Sequence, residues 1–237
     1  MKGIYLTGGY PDRNGFIDCC KMVASSGFDF IEAGIPFNDP IADGPVIAGA
    51  IHESIAAGAT PGTVMDDIAY IGSLKLKKFV MTYANIIYSY GIRNFSAKMA
   101  PVLDGIIIPD LPNRLADLFY DGGLDIPIVP FATLESRETD IDRMNASRSE
   151  IIYFIGVRGI TGAKSDFSAP ELADKIGMIR KRTGKKIIIG FGIKTGADAR
   201  QAMAIGDGFV VGTEAVRRQK NPAALKEYLD SLNNAPA

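Results

Sequence analysis

Glu32-Ala33-Gly34-Ile35-Pro36-Phe37-Asn38-Asp39-Pro40-Ile41-Ala42-Asp43-Gly44-Pro45 joins the end of an apolar run, Phe28 to Ala33, to a loop stiffened by three prolines. The run reads as a buried strand that ends in a carboxylate, and a second carboxylate follows in the loop. Strand ends and stiff loops are where an α/β scaffold places chemistry, because the scaffold fixes the side chain while the loop reaches the substrate. Two carboxylates at one concave site can do acid/base work when their surroundings push their pKa values apart.

Outward from this stretch, short apolar runs alternate with amphipathic segments. Strands are predicted at Gly3–Thr7, Phe28–Ala33, Lys78–Tyr83, Gly105–Ile108, Pro127–Pro130, Ile151–Ile155, Lys186–Ile189 and Gly208–Val211. Helices are predicted around Asn14–Ser25, Pro45–Ala57, Pro61–Ile71, Ile92–Ala100, Asn113–Asp121, Arg137–Ser147, Pro170–Thr183, Ala197–Ile205 and Pro222–Leu232. Gly27 marks the end of the first helix, and Pro45 suits the first turn of the second. Continuous apolar strands are buried on both faces, as in parallel sheets. Eight such units in a chain of 237 residues match an α/β fold of (β/α)8 TIM-barrel type, with residues 1–237 expected to form one domain. The rival, a doubly wound open sheet, usually has fewer strands. Barrel catalytic groups sit at the C-terminal strand ends, where Glu32 and Asp43 fall.

Composition narrows the function. The 26 basic and 27 acidic residues nearly balance, so nucleic acid is not an expected partner. Hydrophobic residues make up 47% of the chain, enough for a sizeable core, without the apolar run of about 20 residues that a membrane span needs. Cys19 and Cys20 are adjacent, which disfavours a disulfide between them; Cys20 is expected in the core and Cys19 to be incidental. The single histidine, His52, reads as an ordinary helix residue, and no metal site is expected. No signal-peptide pattern precedes the first strand, so the expected compartment is the cytoplasm.

Three glycine-bearing segments follow the last strands: Gly159-Ile160-Thr161-Gly162-Ala163, Gly190-Phe191-Gly192-Ile193 and Gly212-Thr213, the last leading into a helix-prone piece, Glu214–Arg217. Glycine lets backbone N–H groups approach an anion closely, and barrels often bind phosphate beside the loops after strands seven and eight. A P-loop pattern is missing, and Gly190-Phe191-Gly192 lacks the third Rossmann glycine, so nucleotide binding is disfavoured.

Together these residues resemble the tryptophan synthase alpha subunit family. The resemblance is carried by Phe30–Pro45, Met81-Thr82-Tyr83-Ala84-Asn85, Gly159-Ile160-Thr161-Gly162, Gly190-Phe191-Gly192-Ile193 and Gly212-Thr213, in that order, and runs from Ile4 to about Arg218. The first motif is long and specific; the glycine motifs are shared with other phosphate-binding barrels. The resemblance implies a carbon–carbon lyase that cleaves indole-3-glycerol phosphate to indole and glyceraldehyde 3-phosphate in tryptophan biosynthesis. It makes Glu32 the catalytic acid/base and Asp43 the partner of the indole N–H. Tyr83 and Tyr153 become substrate-binding residues, as do Thr161, Gly162, Gly192, Gly212 and Thr213, with Thr161 on a loop that closes over Asp43. Asp39 falls near the contact with a beta subunit in an αββα complex. Pyridoxal phosphate is expected only in beta, and no cofactor in this chain.

The chain departs from the family pattern in two places. It opens on the first strand, so the helix that commonly covers the barrel floor is expected to be shortened or absent, leaving the floor open or covered by other side chains. Gly156-Val157-Arg158 stands before Gly159 where some members carry Ser-Arg and a small residue.

The chemistry sets its own demands. Indole leaves as a carbon group only after C3 is protonated, which loads positive charge on the ring nitrogen, and a neighbouring hydroxyl must lose its proton. Asp43 is expected to stay ionised by facing a polar loop, while Glu32, among apolar neighbours, shuttles protons. Plainer readings exist: a strand-end ion pair with a lysine for Glu32, and a helix N-cap for Asp43. Alternatives for the whole chain are a free-standing indole-releasing lyase, a non-catalytic partner that activates beta, and another sugar-phosphate barrel.

Overall fold

The computed structural model describes residues 1–156, 167 and 169–233. The strands are β1 (Lys2–Thr7), β2 (Phe30–Gly34), β3 (Lys77–Met81), β4 (Gly105–Ile107), β5 (Phe131–Ala132), β6 (Ile151–Ile155), β7 (Lys186–Gly190) and β8 (Gly208–Val211). The helices are α1 (Arg13–Ser25), α2 (Pro45–Ala56), α3 (Pro61–Tyr70), α4 (Ala84–Tyr90), α5 (Ile92–Met99), α6 (Ala116–Asp121), α7 (Glu138–Ala146), α8 (Pro170–Thr183), α9 (Gly196–Ile205), α10 (Thr213–Arg218) and α11 (Pro222–Asn233). The sheet runs β4-β3-β2-β1-β8-β7-β6-β5 with parallel neighbours. A parallel bridge between Ile106 and Ile128 links its two ends and closes the barrel.

Strand side chains alternate between two cores. Ile4, Leu6, Ile31, Ala33, Val80 and Ile106 face outward and pack with the helices. Tyr5, Phe30, Phe79, Ile107, Val129, Tyr153 and Val210 face the barrel interior. This two-residue period explains why the runs look continuously apolar: both faces are buried.

The floor is filled by the barrel's own side chains. Phe30 lies over Gly3 and Phe79 over Gly105, where any Cβ would meet the rings at 2.0 and 2.9 Å. The two rings meet edge to face, with centroids 5.5 Å apart. Of the two outcomes foreseen for the floor, cover by side chains is the one observed. Below it, Asp29, Asp104 and Asp207 accept the N–H groups of Lys2, Lys78 and Ile187 at 2.6, 2.9 and 2.8 Å. Backbone groups at the strand starts are thereby satisfied before the ladders begin.

Three expectations need correction. β5 lies at Phe131–Ala132 rather than at Pro127–Pro130. Pro127 and Pro130 have no N–H, so they contribute only carbonyls, to Ile106 and Tyr153 N–H. Helix α4, unforeseen in the sequence, starts at Ala84 because the Asp110 carboxylate, 26 residues away, accepts the Ala84 N–H at 2.9 Å. Cys19 is as buried as Cys20, and its thiol faces the Gln219 carbonyl at 3.6 Å.

Candidate active site

Glu32 sits on β2 facing the interior, level with Tyr5 on β1 and Phe79 on β3. It is 1% exposed, and its Oε2 has no hydrogen-bond partner among the described residues. The strand-end ion pair is not formed among them either. Burial, and then the charge of Asp43, push the Glu32 carboxyl up to about 8, so at neutral pH it is held mostly as the acid.

Asp43 is held from the loop side. Its N–H donates to the Pro40 carbonyl at 3.1 Å, closing a turn. Gly44, not Asp43, occupies the N-cap of α2, with Pro45 at the helix start, so the N-cap reading of Asp43 is set aside. The Tyr83 hydroxyl donates to Asp43 Oδ2 at 2.7 Å and accepts the Ala42 N–H at 3.0 Å. Phe37 packs on the Tyr83 ring, with centroids 5.0 Å apart. Burial raises the Asp43 pKa, and the Tyr83 hydrogen bond opposes that rise. The two carboxyls therefore differ in one respect that matters: Asp43 has a donor, and Glu32 Oε2 has none among the described residues. The polar setting expected for Asp43 comes down to this hydroxyl and is incomplete, because burial also acts on it.

A cavity of about 510 Å³ opens over both carboxyls. Glu32, Asp43, Tyr153, Gly192, Gly212 and Thr213 all line it, so the structure brings together these residues singled out in the sequence. Tyr83 is bonded to Asp43 and is not among the described residues that line the cavity. Thr161 and Gly162 lie outside the described residues.

The wall also contains residues that sequence reasoning missed: Tyr5, Ile47, Asn113, Phe131, Phe191 and Lys194. Glycines make room for two of the tyrosines. A Cβ on Gly34 would stand 2.1 Å from the Tyr5 hydroxyl, and one on Gly190 would stand 2.0 Å from the Tyr153 ring. Tyr153 is flanked edge-on by Phe131 and Phe191, at 5.4 and 6.1 Å. These rings form an apolar wall suited to a flat aromatic ligand. Phe191 and Gly192 both have left-handed backbone, φ 75° and 81°. For Phe191 that conformation is strained, and it lies in the segment read as a phosphate turn. Alternation of small and large residues at strand ends was the signal available in the sequence for Tyr5 and Tyr153, since Gly34 and Gly190 end their strands.

Among the described residues, no group of three or more histidines, cysteines or carboxylates could hold a metal ion, and no helix is long and apolar enough to cross a membrane.

The family model for the tryptophan synthase alpha chain matches residues 4–235. The tryptophan synthase alpha chain of Picosynechococcus sp. is 32% identical, over 98% of this chain and 92% of that protein. That of Gluconacetobacter diazotrophicus is 34% identical, over 98% of this chain and 84% of that protein. Among solved structures, tryptophan synthase subunit alpha from Campylobacter jejuni superposes with a TM-score of 0.86 at 27% identity, covering 98% of this chain and 94% of that one.

Proposed function

The chain belongs to the tryptophan synthase alpha chain family, lyases that cleave indole-3-glycerol phosphate, and from that premise we propose that Glu32 and Asp43 divide the chemistry of the cleavage. The observation that carries this reading is the pairing in one cavity of a buried carboxyl, one of whose oxygens has no donor among the described residues, and a carboxyl that accepts the Tyr83 hydroxyl.

The steps balance around a single proton carrier. Glu32 begins as the acid and gives its proton to indole C3. Positive charge then develops at the ring nitrogen, beside the Asp43 carboxylate, which the Tyr83 hydroxyl keeps oriented. Glu32, now a carboxylate, takes the proton of the hydroxyl on the carbon attached to C3. The carbon–carbon bond breaks, its electrons return to the ring, and indole and glyceraldehyde 3-phosphate are released. Glu32 ends protonated, as it began. Tyr153, Phe131 and Phe191 enclose the indole, and Gly192, Gly212 and Thr213 receive the phosphate.

We further propose that the chain works with a tryptophan synthase beta subunit as an αββα assembly, with pyridoxal phosphate in beta. Family membership supports this, and so does loop 36–43, where Ile41 is 76% exposed two residues from Asp39. Indole release from indole-3-glycerol phosphate tests both parts. Glu32→Gln and Asp43→Asn are each expected to lower kcat by at least about 10²-fold. Addition of beta is expected to accelerate release by the unsubstituted chain. Release unaffected by either substitution would remove the two carboxyls from the mechanism, and release unchanged by beta would favour a free-standing lyase.

A further inference from the structure

Among the described residues the wall of the cavity carries the carboxyl groups of Glu32, held mostly as the neutral acid, and of Asp43 and Asp110, with one cationic side chain, Lys194. A phosphate monoester brings close to two negative charges at neutral pH. Backbone N–H groups at Gly192, Gly212 and Thr213 can orient its oxygens, but they carry no net charge to set against the carboxyls.

Lys194 follows Gly192 by two residues, in the loop after β7, the strand paired with β8, and Gly212 and Thr213 directly follow β8. Its main chain is pinned from two helices. The Lys194 N–H donates to Asp198 Oδ2 on α9 at 3.0 Å, and its carbonyl accepts the Tyr228 hydroxyl of α11 at 2.9 Å. These anchors fix where the exposed side chain leaves the backbone at the edge of the cavity. Asp198 is also the capping partner of Thr195, to which it is bonded through both the N–H and the hydroxyl.

We propose that Lys194 is the charge-bearing partner of the substrate phosphate, the residue by which this cavity selects a phosphorylated substrate over a neutral one. This rests on the reading of the cavity as the indole-3-glycerol phosphate site. Lys194 binds and does no proton transfer, so its contribution belongs in KM and not in kcat.

The test uses the full chain with Lys194→Gln and Lys194→Arg, indole-3-glycerol phosphate as substrate, and glycerol 3-phosphate and a neutral indole alcohol as competitive inhibitors. Lys194→Gln is expected to raise KM and the glycerol 3-phosphate inhibition constant together, by about fivefold to twentyfold, the range for a charged contact at a partly solvated site. Its kcat and its inhibition by the neutral alcohol should stay within twofold, and Lys194→Arg should restore most of the anion affinity. The dependence of KM on salt should flatten in Lys194→Gln. Indole release with KM and salt dependence untouched by Lys194→Gln overturns the inference and leaves the lyase reading standing. Glycerol 3-phosphate binding that needs Lys194 in a chain that releases no indole does the reverse. Equal weakening of the charged and neutral inhibitors also overturns the inference, since it would show a general distortion of the cavity.

Discussion

Glu32 is a glutamate placed where a core residue would sit, and its burial has consequences for stability as well as for proton transfer. Its folded pKa, about 8, lies above the ordinary 4.5. The folded state therefore holds a proton that the unfolded chain releases as pH rises above 4.5. Stability contributed by the neutral carboxyl is whole below about 4.5, falls as pH rises through the folded value, and is level above it. At about 1.36 kcal/mol per unit, the full span is at most about 5 kcal/mol. Glu32→Gln removes the titration, so its advantage in urea unfolding should grow between pH 5 and 8 and then hold. An advantage that does not change with pH would show that Glu32 is ionised in the fold at little cost. The sequence alone made Glu32 and Asp43 candidates, since a strand end and a proline-bound loop are visible in it. It did not show Lys194 or Tyr5, because their place on the wall depends on strands and loops distant in sequence. For Tyr83 the motif marks the residue, but only the fold shows that its hydroxyl bonds Asp43.

At the scale of elements, the barrel mouth is shaped by what the strands lack. Gly34 and Gly190 end β2 and β7, and the tyrosines of β1 and β6 lean into the space they leave. Gly190→Ala places a methyl inside the Tyr153 ring, so ring or strand must move. The expected loss is about 1–3 kcal/mol of stability, the usual scale for overpacking, together with a fall in kcat/KM as the aromatic wall shifts. A variant with unchanged kcat/KM would show that Tyr153 and its neighbours do not hold the substrate. Side-chain amides serve where ladders run out. Asn113 bonds both the N–H and the carbonyl of Phe131, at 3.1 and 2.9 Å, and Gln219 does the same for Thr7, at 3.0 and 2.9 Å. Each acts as a missing strand neighbour, a role that sequence periodicity does not record. β6 and β8 match the sequence reading to the residue, whereas β5 lies just past Pro127–Pro130, whose two prolines leave little ladder.

The whole molecule is a closed ring whose two ends do different work. The floor is aromatic and buried, and the mouth holds the cavity with the carboxyls of Glu32 and Asp43. Phe30→Ala would leave a void at the floor and is expected to cost about 3–5 kcal/mol in urea unfolding, the range for a fully buried phenylalanine. A loss below about 1 kcal/mol would mean that water already reaches the floor. The order of the strands and the parallel sheet were determined by the sequence itself, because burial on both faces imposes a local pattern of continuous apolar runs separated by amphipathic helices; Glu32, expected at a strand end, is instead the middle residue of β2 (Phe30–Gly34). Closure through Ile106 and Ile128, the capping of α4 by Asp110 and the company kept by each carboxyl were decided only by tertiary structure. Those contacts join residues far apart along the chain, and a pKa is set by what surrounds a group in space. Glu32 and Asp43 are both simply acids in the sequence; the proposed division of roles rests on a difference the fold makes, which gives the Tyr83 hydroxyl to Asp43 and, among the described residues, no donor to Glu32 Oε2.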